Sequence, residues 1–135
     1  MGSQTNALAD QLEQAVAEFA ESIEMYPEDK WAAAQGSEGW TVAVIAQHVS
    51  GQFPLEMEYI TAAAEGREMP AYTWDDINGM NGRRAEANTN ASKADVLKEL
   101  RENATSTAAY IRKLSDEQLD RSAHLSLAGA DVTVQ

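Results

Sequence analysis

The chain has 135 residues, with 10 basic and 22 acidic side chains and a formal net charge of −12. Apolar residues make up 44% of it, enough for one core, and the absence of cysteine excludes disulfides, a thiolate nucleophile and thiolate-ligated zinc. The acidic excess, with no basic patch, argues against nucleic acid and anionic membranes as partners. No apolar run approaches the ~20 residues that span a bilayer, and no basic-then-apolar leader opens the chain. The expectation is a cytoplasmic protein made of a single domain over residues 1–135.

In chain order, the spacing predicts a first helix over about Thr5–Met25. Leu8, Leu12, Ala15, Val16, Phe19 and Ile23 form one apolar stripe, with Asp10, Glu13, Glu18, Glu21 and Glu24 largely off it. Its polar face is acidic, which argues against a membrane-surface role. Pro27 ends that helix and suits the first turn of a short new one. Trp31 and Trp40 bracket a glycine-containing loop. Both indoles are expected to pack over the end of the bundle, with ligand stacking as the alternative.

The next stretch carries the one pattern that points to chemistry. Gly39 is a loop residue and Thr41 a preferred N-cap, after which Val42, Ile45, Ala46, Val49 and Phe53 recur at helical steps. His48 lies beside this face. Two readings stand side by side: a core histidine with one nitrogen hydrogen-bonded, or a metal ligand, since neutral imidazole is a common one. The helix continues to about Ala64, interrupted by Gly51 and Pro54, with a kink expected near Ser50. His48, Gln52 and Glu56 are spaced by four and stack on one side. Glu56 is either plain surface or an extension of a metal or proton-transfer site.

Residues 65–72 read as a loop. Thr73-Trp74-Asp75-Asp76 has the form of a capping box and opens a polar helix to about Asn88, weakened by Gly79 and Gly82. Such a helix is a cover over a cleft or a connector. Asn81 and Arg84 face the same way and can present donors to an anionic ligand. The plainer reading pairs Arg84 with an acidic neighbour.

Ser92 caps the clearest helix, in which Leu97, Leu100, Ala104, Thr107, Ile111 and Leu114 form a bundle seam. Asn103-Ala104-Thr105 matches a glycosylation triplet that, without a secretion signal, means nothing. Ser115 to Gln118 is a further capping box, opening a turn of helix to Arg121. Residues 123–131 look extended and turn at Gly129. Val132 to Gln135 then read as the entry to another helix, with Thr133 as N-cap.

Four stretches in order resemble the DinB-like superfamily, including its maleylpyruvate-isomerase-like and thiol-transferase-like branches. They are Gly39-Trp40-Thr41-Val42 leading to His48, residues 77–86, residues 114–120 and residues 129–134. The resemblance covers nearly the whole chain. It implies an all-α, up-down-down-up four-helix bundle, dimeric, with a divalent metal (zinc or nickel) on three histidines. One ligand position, on the second helix, matches His48. The other two belong to a last helix that this sequence does not reach, so the fourth helix is missing or supplied elsewhere. His124 lies in the loop before it and does not replace them. The resemblance further implies a low-molecular-weight thiol as co-substrate, acting on a small electrophilic substrate, with Gln52, Glu56, Asn81 and Arg84 near the pocket. No catalytic residue is assigned. The alternative is a non-catalytic helical binding or dimerisation module that kept the fold without the metal site.

Overall fold

A computed structural model of the chain describes residues 2–35 and 39–134. Its elements are α1 (Ser3–Met25), α2 (Glu28–Trp31), β1 (Ala34–Gln35), β2 (Trp40–Thr41), α3 (Val42–Gly51), α4 (Phe53–Ala64), α5 (Trp74–Ala87), α6 (Lys93–Lys113), α7 (Asp116–Leu119), β3 (Ser122–Leu125) and β4 (Ala130–Thr133). Long helices lie side by side and only two small antiparallel ribbons accompany them among the described residues, so the architecture is all-α.

Helix α6 is the hub. The Ser92 hydroxyl accepts from the Asp95 amide at 3.1 Å and fixes where the helix starts. From there Val96, Leu100, Ala104, Thr107, Ala108 and Ile111 recur at three- and four-residue steps and are all buried. They pack against α1, α3 and α4. Val96 and Leu100 are each only 1% exposed, and burying each contributes about 1.5–3 kcal/mol. Alanines at 9, 20, 104 and 108 are buried between α1 and α6 and let the two helices approach closely. The start of α1 is tied to α7, because the Thr5 amide donates to the Asp116 carboxylate at 3.4 Å.

Pro54 explains the break between α3 and α4. It has no N–H, so the Ser50 carbonyl loses its helical partner. Asn103 of α6 replaces that partner, its Nδ2 donating to the Ser50 carbonyl at 2.9 Å. Gly51, at the end of α3, packs close to α6. A Cβ there would lie 2.7 Å from both the Gln47 amide nitrogen and a Glu99 carboxylate oxygen.

The end of the chain departs from the sequence expectation. Val132 and Thr133 belong to β4, not to a helix entry. Val132 faces Ala123 and Thr133 faces Ser122 across the ribbon with β3. Gly129 makes the turn at φ 62°, a conformation that favours glycine. The β-branched pair then suits a strand. Val134 continues onto the buried group of Ala64, Leu114 and Leu119. Gln135 lies outside the described residues.

Helices α1 and α4 both rest on α6 and flank an apolar cavity of about 310 Å³ lined by Leu8, Leu12, Phe53, Met57, Ile60 and Ile111. No helix among the described residues is long and apolar enough to cross a membrane.

Candidate functional site

The site begins at the Thr41 cap. Its Oγ1 accepts from the Val44 amide at 3.1 Å and sets the phase of α3. In that phase Ala43, Ala46, Gln47 and Ser50 are buried, and His48 emerges on the flank, half-buried. The Trp40 ring lies beside it, with centroids 5.6 Å apart and planes tilted by 54°. The His48 Nδ1 is sealed from solvent and has no hydrogen-bond partner among the described residues. Burial, and secondly the positive charge of Arg84, hold the imidazole pKa below its ordinary value of 6.5. The ring is therefore neutral near pH 7, the form that can ligate a metal.

One turn on, the Gln52 Oε1 accepts from the Arg84 Nη1 at 2.9 Å. That bond joins α5 to the α3–α4 junction across 32 residues of sequence. The Arg84 backbone carbonyl in turn accepts from the Asn88 side chain at 2.8 Å. The partner of the guanidinium is a neutral amide. Among the described residues no carboxylate lies within ion-pair distance of it.

His48, Gln52 and Arg84 thus come together with Trp40. Asn81 stands one turn before Arg84 on the same face of α5, half-buried. Glu56 opens onto the apolar cavity between α1, α4 and α6. Loss of water there raises its carboxyl pKa above the ordinary 4.5, although much of the side chain remains exposed. Trp31 is structural: it is buried, and its indole N–H donates to the Ala91 carbonyl at 2.8 Å. His124 is exposed on β3, its Nδ1 3.2 Å from the Asp131 carboxylate on β4.

A further aromatic grouping lies between α4 and the loop before α5. Tyr59 and Tyr72 meet edge-on at 6.3 Å, and the Tyr72 hydroxyl donates to Glu58 at 3.3 Å. The Tyr59 hydroxyl is buried without a partner among the described residues. No helical spacing could announce this contact, because Tyr72 comes from the loop before α5.

The family model of the DinB superfamily matches residues 11–135. The chain belongs to the DinB superfamily. No curated protein sequence matches it. Among solved structures, this DinB-superfamily chain is similar to YfiT from Bacillus subtilis, described as a probable metal-dependent hydrolase with an unusual four-helix bundle topology. The TM-score is 0.74 and the identity 17%, over 99% of this chain and 75% of that one. It is also similar to a mycothiol-dependent maleylpyruvate isomerase, at TM-score 0.70 and 16% identity, over 97% of this chain and 52% of the isomerase. The chain therefore spans about half of that enzyme. An uncharacterised protein from Clostridium difficile 630 matches at TM-score 0.73 and 16% identity, over 99% of this chain and 84% of that one. At these identities the likeness is one of fold.

A catalytic zinc-type site uses three protein ligands. The residues at this site supply one imidazole. Among the described residues no group of three His, Cys, Asp or Glu side chains is placed to hold a metal ion. The donor set of the described residues therefore does not by itself make such a site.

Proposed function

We propose that this DinB-superfamily chain is a divalent-metal-dependent enzyme acting on a small electrophilic molecule, with His48 as a ligand of zinc or nickel. The observation that carries the reading is the His48 ring: neutral, half-buried, walled by Trp40, with a buried nitrogen that no described group engages. Membership of the superfamily and the descriptions of YfiT and the isomerase support it. A divalent ion, when bound, lowers the pKa of a thiol or water that it holds. Because the chain has no cysteine, a thiol nucleophile would be a low-molecular-weight one brought in with the substrate. The reaction class is thiol transfer to the electrophile, or its isomerisation or hydrolysis. Of the chain's own groups, Trp40 shields the imidazole from water on one side, and Gln52 fixes the guanidinium of Arg84 beside the site. We place the protein in the cytoplasm as a homodimer. Ile45 and Val49, 39% and 43% exposed on one face of α3, favour such an assembly.

A second reading has its own observation. One imidazole does not complete a metal site, which favours a helical binding or dimerisation module that kept the fold without the chemistry. Elemental analysis of the purified protein and of His48→Ala separates the two. About one zinc or nickel ion per chain, lost in the variant, supports the enzyme. No metal in either protein, even after incubation with both ions, leaves the module.

A further inference from the structure

Most half-buried cations in this acidic chain have an evident structural task. Arg112 bridges Asp10 and Glu13. Lys93 donates to the Tyr26 carbonyl and lies 5.8 Å from the Trp31 ring centroid. Arg84 is different. It is half-buried, and its one side-chain partner among the described residues is the neutral oxygen of Gln52. With 22 acidic and 10 basic residues, carboxylates are abundant. The Arg84 guanidinium still keeps donors that no carboxylate among the described residues engages.

The helix that bears it is unusual in the same place. Ile77, Asn81, Arg84 and Asn88 follow one another at steps of four, three and four, so they share one face of α5. The Arg84–Gln52 bond shows that this face is turned toward the α3–α4 junction. A helix face turned inward is ordinarily apolar. Here only Ile77 is, and the rest are two amides and a guanidinium.

We propose that Arg84 anchors a ligand carboxylate beside His48, with Asn81 offering a second donor. This deepens the enzyme reading by naming the substrate class, an organic acid, and rests on that reading for its place in the reaction. Gln52 takes one N–H of the guanidinium at 2.9 Å and holds the planar group in place. The fork keeps further donors for a bidentate carboxylate contact, the geometry for which arginine is suited and lysine is not. The Trp40 ring beside the imidazole offers the apolar surface that the carbon skeleton of such an acid needs. One guanidinium among neutral amides matches one carboxylate better than a doubly charged phosphate.

The test is a titration of the full ¹⁵N-labelled chain with succinate, with uncharged succinamide and inorganic phosphate as comparators. The readouts are the Trp40 indole N–H signal, assigned through Trp40→Phe, and the Arg84 Nε–H signal. Succinate should shift both signals saturably, with a dissociation constant in the millimolar range. Succinamide should shift neither. Arg84→Gln should weaken binding about tenfold or more, the loss of one charge-assisted pair. Arg84→Lys, which keeps the charge without the fork, should lie between them and guards against a folding defect in the glutamine variant. No saturable shift, equal affinity in Arg84→Gln, or a preference for phosphate over succinate would overturn the assignment. Elemental analysis of wild type and His48→Ala tests the enzyme reading separately, because succinate binding needs no metal in this scheme.

Discussion

His48 is kept neutral by two effects that act in the same direction. Burial disfavours the imidazolium, and Arg84 repels it. Removing only the second should leave the first, so in Arg84→Gln the His48 pKa should rise yet stay below 6.5. Histidine NMR of the wild type and the variant across pH checks this. Glu56 makes the opposite case. Its carboxyl pKa is raised, so between the unfolded value and the raised one the folded state binds the proton more tightly. Charged Glu56 therefore costs stability at neutral pH, and that cost fades as pH falls through the raised folded value and is gone below the ordinary 4.5. Glu56→Gln should melt slightly higher than wild type at pH 7 and equal to it near pH 4. A lower melting temperature at pH 7 would show that the carboxylate makes a favourable contact. The stacking of His48 and Gln52 was legible in the sequence, because four residues is close to one helical turn. The partner of Arg84 was not. Composition favoured an acidic neighbour, and only tertiary packing brings Gln52 within 2.9 Å.

At the scale of elements, the break between α3 and α4 depends on a residue in another helix. Asn103 satisfies the carbonyl that Pro54 leaves without a donor. Asn103→Ala should destabilise the fold by about 1–3 kcal/mol, the cost of a buried acceptor left unpaired. Denaturant unfolding measures this, and an unchanged midpoint would mean that water takes over the bond. The sequence announced the break through Pro54 but gave Asn103 only a glycosylation triplet, because a hydrogen bond across 53 residues has no local signature. The helix starts at Thr41, Thr73, Ser92 and Ser115 were legible, since each cap is a local bond spanning three residues. The last stretch was misread for a related reason. An N-cap residue is itself extended, so Thr133 before Val134 suits a cap and a strand alike. Pairing with Ser122 decides for the strand.

At the scale of the molecule, the all-α class was legible because three long apolar stripes need one another, and α6 carries the seam that the others share, whereas the order of the bundle was implied only by the resemblance to DinB-like chains. Dimerisation through the exposed Ile45 and Val49 face predicts twice the chain mass by light scattering, and Val49→Asp should return the protein to a monomer. A wild-type monomer at all accessible concentrations would contradict it. Whether His48 ligates a divalent metal is decided by calorimetric titration of zinc into metal-free protein and into His48→Ala. Saturable binding of about one ion per chain is expected in the wild type, with its loss in the variant. Equal binding in the two proteins, or none in either, would contradict it.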